Sequence, residues 1–183
     1  MHFPLFLELE GRPCLVVGGG KVAVRKAAAL RSFGAAVTVV APRIDPALED
    51  GTATLLRRGF EDADVEGRTL VVAATDEGET NRRVSRLCRA RGIPVNVVDD
   101  PPNCTFIFPA VFRKGPITAA VSSGGACPVA AKLVRDKVAG LVADDFIAEV
   151  ERLGAEREEL KRRMPDPQVR RRHCEEVLAK WKG

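Results

Sequence analysis

The first half of the chain alternates between short apolar runs and longer amphipathic runs. The apolar runs are predicted strands at residues 15–17, 37–40, 52–56, 69–74 and 95–98, of which 52–56 is the weakest. The amphipathic runs 21–33 and 80–91 are predicted helices, and each is followed by a glycine. Apolar strands that alternate with helices are typical of a parallel sheet covered on both faces. The pattern therefore predicts an α/β fold.

The pattern changes after residue 105. Two apolar runs in "FIFPAVFRKGPITAAVSS" flank Lys114-Gly115-Pro116 and predict a β-hairpin. A helix to about residue 142 follows, then a charged helical stretch over 144–163 and a final helix to about residue 180. The last two are separated by "MPDP". We predict a sheet domain over 1–112, a hairpin-plus-helix segment over 113–145 and a small C-terminal helical region over 146–183.

Composition narrows the functional classes. The 183 residues are 45% hydrophobic, which is enough for one well-buried core and a modest appendage. The formal net charge is only +4, so total charge does not indicate a nucleic-acid partner. One tryptophan and no tyrosine also leave few rings on which bases could stack. We therefore predict no nucleic-acid partner.

Cysteine usage and the amino-terminal segment indicate the compartment. Five widely spaced cysteines without a C-x-x-C pair are typical of reduced thiols in a cytoplasm. Only two histidines are present, no His/Cys ligand spacing occurs, and we predict no metal site. The opening "MHFPLFLELEG" is acidic, unlike a signal peptide, and no apolar run approaches the length of a membrane span. We expect a cytoplasmic protein without a membrane partner.

The stretch "CLVVGGGKVAVRKAAAL", residues 14–30, places three glycines between a predicted strand and a predicted helix. Gly18-x-Gly20-x-x-Ala23 fits the dinucleotide-binding pattern G-x-G-x-x-G/A. In that pattern the first glycine allows a tight turn and the second lets the backbone approach a pyrophosphate, next to free N–H groups of the helix. The alternative interpretation is an ordinary turn between a strand and a helix.

One element of the pattern is missing from the sequence. An acid is expected near the end of the second strand, where it would bind the adenosine ribose hydroxyls. That strand ends "VAPR", and Arg43 would suit either the 2′-phosphate of NADP or a solvent-facing position. The glycine turn alone therefore leaves the choice of cofactor open.

Further motifs follow the glycine turn and its "VAVRKAAAL". They are "VVAATDEGETN" at 71–81, "VNVVDDP" at 95–101, "FIFPA" at 106–110 and "AVSSGGACPVAAKLVRDK" at 120–137. In this order, over roughly residues 3–145, the chain resembles the precorrin-2 dehydrogenase and siroheme synthase N-terminal family. The motifs are specific in combination, and the C-terminal tail is a looser match.

The resemblance implies a Rossmann-like fold and NAD-dependent oxidation of precorrin-2 to sirohydrochlorin, on the path to siroheme. Some members of the family also insert ferrous iron as a substrate. The resemblance further implies NAD rather than NADP, an NAD-binding role for 1–112, and a homodimer formed through 113–145. The cofactor-binding residues that we predict are Gly18, Gly20, Lys21, Val22, Pro42, Arg43 and Thr75.

The resemblance also identifies Asp99 as the family's essential acid. Asp99 follows the predicted strand 95–98, and ligands of doubly wound sheets lie outside the carboxyl ends of strands. An acid there can accept a proton as hydride leaves to the nicotinamide. Two alternatives are that Asp100 faces the site instead, or that Asp99 only caps the turn before Pro101-Pro102. We predict Asp99 as the catalytic residue.

The "SSGG" turn, residues 122–125, is the predicted substrate-binding element. Its N–H groups and serine hydroxyls suit a carboxylate, and the alternative is a helix cap with a flexible turn. Basic residues on the following helix favour anion binding, because precorrin-2 is a polycarboxylate. The predicted substrate-binding residues are Ser123, Gly124, Lys132 and Arg135.

Two questions stay open at the level of sequence. Asp99 could deprotonate a tetrapyrrole for dehydrogenation or for iron insertion, so the residues do not separate these reactions. A non-catalytic NAD-sensing regulatory module is the alternative from another class, although it would need neither Asp99 nor the "SSGG" turn. Arg82, Arg86 and Arg89 recur on one side of the predicted helix 80–91 and are predicted to be a solvated face.

Overall fold

The computed structural model describes residues 2–181 and divides the chain into two compact units, Met1–Phe108 and Pro109–Gly183. The division lies before the boundary predicted after residue 112. The reason is that the strand beginning at Ala110 pairs along its whole length with the other strand of the hairpin. The predicted hairpin-plus-helix segment and the predicted C-terminal helical region both fall in the second unit.

The first unit is built on a five-stranded parallel sheet in the order β3-β2-β1-β4-β5. The strands are β1 Pro13–Val17, β2 Ala36–Val40, β3 Thr54–Leu56, β4 Leu70–Ala73 and β5 Val95–Val97. Helix α1, Lys21–Arg31, connects β1 to β2, and helix α2, Gly78–Ala90, connects β4 to β5. Short 3-10 turns lie at Pro46–Leu48, Asp62–Val65 and Pro101–Asn103. The predicted Rossmann-like α/β fold is confirmed.

Both faces of this sheet are buried. Cys14 and Val16 point to one face, where they pack with Ala23, Ala27 and Leu30 of α1. The alternate residues Leu15 and Val17 point to the other face and pack with Val84 and Cys88 of α2. Because side chains alternate across a strand, a sheet covered on both sides needs apolar residues at every position, as β1 and β4 have.

The order of the strands creates a divergence at the centre of the sheet. From β1 the chain proceeds to β2 and β3 on one side, whereas from β4 it proceeds to β5 on the other. The connections that leave the carboxyl ends of β1 and β4 therefore run in opposite directions. Such a switch point opens a crevice between the two connections.

The second unit begins with the predicted hairpin, formed by β6, Ala110–Lys114, and β7, Ile117–Val121. Helices α3 Pro128–Leu141, α4 Asp144–Ala155, α5 Arg157–Arg163 and α6 Pro167–Val177 follow. The stretch predicted as one helix over 144–163 is thus divided at Glu156. Lys114 joins the hairpin to the start of α4, because its Nζ donates to the Val142 carbonyl at 2.8 Å and lies 2.7 Å from Asp144 Oδ1.

Candidate dinucleotide-binding site

A cleft of about 920 Å³ opens at the carboxyl ends of the central strands. The segments that follow β1, β2, β4 and β5 line it, and residues 59–60 contribute as well. Every predicted cofactor-binding residue and the predicted catalytic residue lie on its wall: Gly18, Gly20, Lys21, Val22, Pro42, Arg43, Thr75 and Asp99. The fold thus brings four separate sequence motifs to one crevice.

Gly18 is required by the approach of two strand ends. Its φ of +119° is in a region that L side chains rarely adopt. A Cβ atom there would lie 2.3 Å from the carbonyl oxygen of Ala74, the residue after β4. The Gly18 N–H also donates to the Val40 carbonyl at 2.9 Å, which ties the turn to the end of β2. Gly18 therefore fits the tight-turn role that the sequence pattern predicts.

Gly19, to which the pattern gives no role, is equally confined. A Cβ atom on Gly19 would lie 2.1 Å from the carbonyl oxygen of Arg43 and 2.9 Å from Cβ of Ala41. The Gly19 carbonyl accepts the Asp45 N–H at 2.8 Å. The loop after β2 therefore packs directly on the glycine turn. The only sequence signal for this contact was that the middle residue of the three is also a glycine.

Gly20 differs from its two neighbours. Its backbone is extended, with φ −88° and ψ −173°, a conformation that any residue adopts. Apart from its two chain neighbours, no residue in the range 2–181 has an atom within 4 Å of the position that its Cβ would take. Since Gly20 lines the cleft, the protein itself does not require a glycine there. The open space next to its Cα suits the close approach of a pyrophosphate.

The amino end of α1 leaves donors available. Gly20 is the N-cap, no side chain caps the helix, and its first turn contains no acid. The first N–H groups of a helix have no intrahelical partner and carry partial positive charge. Lys21 adds a further positive charge on the cleft wall. Phosphate groups match these donors and this charge, so the residues present fit a dinucleotide.

Thr75 is held on the cleft wall by a residue that the sequence did not single out. Asn81 of α2 is only 8% exposed, and its side-chain amide bonds the backbone and hydroxyl of Thr75. The Thr75 hydroxyl in turn accepts the Glu77 N–H at 3.2 Å. Asn81 thereby fixes the loop that follows β4. An asparagine in the first turn of a predicted helix was a weak signal, because such residues are usually exposed.

Asp99 occupies a turn immediately after β5. The turn is closed by the Asp100 N–H, which donates to the Val97 carbonyl at 3.3 Å. Asp99 has φ +56° and is the only non-glycine residue with positive φ among residues 2–181. Its side chain is exposed on the cleft wall, and it accepts no hydrogen bond from the residues that the structure describes. The Asp100 carboxylate instead accepts the Asn103 side-chain amide at 2.8 Å.

The segment after Asp99 is anchored to α2. Ser85 Oγ donates to the Asn103 carbonyl at 2.7 Å. The Arg89 guanidinium donates to the carbonyls of Pro102 at 2.8 Å and Cys104 at 3.2 Å. Arg89 is exposed, as predicted for this face of the helix, and its head group also reaches across to this loop. Arg82 and Arg86 lie on the exposed face, where both pair with Glu79.

Lys26 lies one helical turn beyond Val22 on α1. Its Nζ is 3.6 Å from the centre of the Phe108 ring, a cation–π contact. Burial lowers the pKa of Lys26 below its ordinary value of 10.5, and the nearby Arg25 lowers it further, while Cys104 and Asp99 act in the opposite direction. A half-buried cation thus lies within electrostatic range of Asp99, although no sequence motif had indicated it.

The predicted substrate-binding residues belong to the second unit. Ser123 Oγ accepts the Cys127 N–H at 2.9 Å, and Ser122 Oγ accepts the Gly124 N–H at 3.0 Å. Gly124 has φ +65°, so the turn needs its glycine. These bonds lie within the turn that precedes α3, whose N-cap is Cys127 and has no side-chain cap. On α3, Lys132 is exposed, whereas Arg135 Nε donates to Asp136 at 2.8 Å and is therefore partly neutralised.

Within residues 2–181, no group of three or more His, Cys, Asp or Glu side chains is placed to hold a metal ion. No helix of that range has the length and apolar character needed to cross a membrane.

A crevice at a switch point, next to the uncapped amino end of a helix, is where Rossmann-type proteins bind dinucleotides, and the first unit is of that class. Comparison with known proteins agrees. The family model described as "Putative NAD(P)-binding" matches residues 5–110, and the chain belongs to this family. The predicted nicotinamide dinucleotide cofactor is thereby confirmed as NAD(P).

The chain is similar in sequence to siroheme synthases. That of Thioalkalivibrio sulfidiphilus is 47% identical over 180 residues, which are 96% of this chain and 37% of that protein. That of Methylobacillus flagellatus is 45% identical over 180 residues, 96% of this chain and 38% of that protein. The chain thus spans less than half the length of these relatives. They confirm the resemblance inferred from the sequence motifs.

A solved structure shares the fold. The structure titled "SirC, precorrin-2 dehydrogenase" has a TM-score of 0.68 and 24% sequence identity, with 99% of both chains covered. At this identity the match establishes the architecture and no more.

Proposed function

We propose that this protein oxidises precorrin-2 to sirohydrochlorin with NAD as the hydride acceptor. The observation that carries the proposal is the position of Asp99, which shares one cleft with the glycine turn and the uncapped end of α1. Its carboxylate is exposed there without a hydrogen bond from the described residues, so it is available to a substrate. The similarity to siroheme synthases supports the same reaction class.

The chemistry requires one hydride and one proton to leave the tetrapyrrole. When bound, NAD accepts the hydride, and the oxidised ring system then loses a proton. Asp99 accepts that proton from its position on the cleft wall. Ser85 and Arg89 hold the following loop, which limits movement of Asp99 during the reaction.

We propose that the second unit binds the substrate carboxylates through Ser123, Gly124, Lys132 and Arg135. Lys132 is exposed and free to pair with a carboxylate, while Arg135 would share its charge between Asp136 and the substrate. Exposed ion pairs are individually weak, so the affinity for a polycarboxylate would come from several contacts and would decrease with salt.

The protein is further proposed to form a homodimer and to act in the cytoplasm. Apolar side chains on α3 are exposed at spacings of four and eight residues, with Val129 at 64%, Leu133 at 59% and Leu141 at 82% exposure. A surface of this kind is usually covered by a partner. Sedimentation at micromolar concentration would give a dimer, and Leu133→Asp would shift it toward the monomer. A monomeric wild-type protein would refute this part of the proposal.

The test of activity is anaerobic incubation with precorrin-2 and NAD, followed by the absorption of sirohydrochlorin and NADH. Asp99→Asn is the decisive variant, because asparagine tolerates positive φ and keeps the side-chain shape. Loss of a general base lowers turnover by a factor of about 10²–10⁴, while dinucleotide binding stays intact. Asp100→Asn is the matched control, since the Asp100 side chain is engaged within its own turn.

Two outcomes would overturn this assignment. Near-normal turnover in Asp99→Asn, or a larger loss in Asp100→Asn, would show that another residue accepts the proton. Dinucleotide binding without any oxidation of precorrin-2 would instead support a non-catalytic NAD-sensing module.

Repeating the incubation with ferrous ion tests iron insertion, because siroheme would then form from sirohydrochlorin and Asp99→Asn would slow that step too.

A further inference from the structure

The structure supplies an acid where the sequence pattern lacked one. β2 ends at Val40, and the residues that immediately follow contain no carboxylate. Asp45 comes after this segment, yet it lies on the wall of the same cleft as the glycine turn. The loop folds back because the Asp45 N–H donates to the Gly19 carbonyl at 2.8 Å. Asp45 is therefore close to the glycine turn in space, although it is distant from that turn along the chain.

The Asp45 side chain is fixed in position. Its Oδ1 accepts the Ala47 N–H at 3.0 Å and thereby caps the 3-10 turn Pro46–Leu48. The following proline restricts Asp45 to an extended backbone, and the observed φ of −61° and ψ of 133° agree. One carboxylate oxygen is thus used by the protein, and Oδ2 accepts no hydrogen bond from the described residues. That oxygen is available as a hydrogen-bond acceptor on the cleft wall.

Arg43 lines the same part of the cleft and has the opposite charge. Its backbone is pressed against Gly19, but its side chain is exposed and has no hydrogen bond or ion pair among residues 2–181. To bind a 2′-phosphate, a free arginine side chain must be ordered, which costs conformational entropy. The Asp45 carboxylate is already ordered by its cap. Its interactions with a ligand therefore cost less entropy than those of Arg43.

The two nicotinamide dinucleotides, NAD and NADP, differ chemically at the adenosine ribose. In NAD the adenosine ribose presents two hydroxyl groups, which donate well to a carboxylate. In NADP one hydroxyl is replaced by a phosphate that carries more than one negative charge near neutral pH and repels a carboxylate. Both ligands would place this ribose beyond the end of β2, as dinucleotides do in this fold.

We propose that Asp45 selects NAD over NADP, by accepting hydrogen bonds from the adenosine ribose hydroxyls and repelling a 2′-phosphate. The inference rests on the proposed function only in that both require a dinucleotide in this cleft. It also opposes the interpretation of Arg43 as a 2′-phosphate ligand that the sequence allowed.

The test is calorimetric titration of the purified protein with NAD and, separately, with NADP. The wild type is expected to bind NAD at least about tenfold more tightly than NADP, a difference that hydrogen bonds to a charged group can supply. Asp45→Asn removes the charge but keeps the cap, because asparagine caps helical turns as well as aspartate does. In this variant NAD should bind more weakly, NADP more tightly, and the ratio of affinities should fall about tenfold or more.

Two further variants separate charge at this position from charge elsewhere. Glu49 lies in the same loop, pairs with Arg57 and is outside the cleft lining. Glu49→Gln should therefore leave the ratio of NAD to NADP affinity unchanged. Arg43→Ala in the Asp45→Asn background should lower NADP affinity. Arg43 can bind the 2′-phosphate only when the Asp45 charge no longer repels that phosphate. Thermal unfolding of each variant checks that the fold is kept.

The outcomes are distinct from those of the activity assay. An unchanged affinity ratio in Asp45→Asn, or a wild-type protein that prefers NADP, would overturn the role of Asp45 even if precorrin-2 is oxidised. Binding of neither dinucleotide would overturn both this inference and the proposed function. A shifted ratio without precorrin-2 oxidation would support Asp45 and contradict only the proposed reaction.

Discussion

Asn81 and Thr75 form a paired contact at the edge of the cleft. Asn81 Nδ2 donates to the Thr75 carbonyl at 2.9 Å, while its Oδ1 accepts the Thr75 hydroxyl at 2.8 Å and the Thr75 N–H at 3.2 Å. One buried side chain therefore satisfies both backbone groups of a loop residue. Any change in Asn81 alters the shape of the wall on which a dinucleotide would lie.

Replacing Asn81 by alanine should destabilise the protein and weaken dinucleotide binding together. The Thr75 N–H and carbonyl would lose their partners, which costs about 2–3 kcal/mol of unfolding free energy. Urea unfolding and NAD titration measure the two effects. Arg86→Ala on the same helix is the control, because its exposed ion pair with Glu79 is worth less than about 1 kcal/mol. Equal effects of the two variants would contradict the structural role of Asn81.

The three consecutive glycines should respond differently to substitution. Gly18→Ala should cost more than about 2 kcal/mol of stability, because its positive φ and the nearby Ala74 carbonyl both oppose a side chain. Gly20→Ala should leave the unfolding temperature almost unchanged, since its backbone is extended and the space is open. Gly20→Asp should keep the fold and lose NAD affinity, because a carboxylate would face the pyrophosphate. A destabilised Gly20→Ala, or unchanged affinity in Gly20→Asp, would refute this assignment.

Acid should weaken the fold through Asp64. Arg58 donates two hydrogen bonds to this buried carboxylate, at 2.8 and 2.6 Å, and these lower the pKa of Asp64 below its ordinary value of 3.8. A lowered folded-state pKa gives a stabilisation that is fully present above the unfolded value and is lost as the pH falls through the folded value. Asp64→Asn should therefore be about 1–3 kcal/mol less stable than wild type at neutral pH. That difference should shrink below pH 3.8, and a constant difference would contradict the ion pair's role.

Arg89 should affect catalysis more than dinucleotide binding. Arg89→Ala frees the loop that follows Asp99, and small displacements of a catalytic group lower turnover by up to about a hundredfold. The KM for NAD should change little, because Arg89 is not part of the cleft lining. Arg82→Ala, on the exposed face of the same helix, should retain wild-type kinetics. Loss of NAD affinity in Arg89→Ala, with turnover unchanged, would argue against a positioning role.

Thiol reactivity should follow burial. Burial raises the pKa of Cys14 and of Cys88 to about 11, so both remain protonated near neutral pH. Cys127 is exposed and should react first with a maleimide, as peptide mapping of briefly labelled protein would reveal. Cys14 and Cys88 should react only after unfolding. Early labelling of Cys14 or Cys88 in the native protein would contradict their place in the core.

The sequence determined the architecture of the first unit and the location of the cleft. Apolar periodicity is a local property, and it gave the strands and both helices between residues 13 and 97 with small errors at their ends. The residues Gly18, Gly20 and Asp99 could be named because each follows directly from the end of a strand. Ligand sites in this fold lie at those ends, so the strand prediction also led to the candidate site residues.

Only the tertiary structure decided the contacts that cross between segments. Gly19 is confined by the loop after β2, Asn81 reaches back to Thr75, and Arg89 reaches the loop after β5. Asp45 lies on the cleft because its backbone bonds to Gly19, a contact that no local pattern indicates. The unit boundary after Phe108 depends likewise on strand pairing. Periodicity reports which side of an element is buried, whereas the partner that buries it depends on the complete fold.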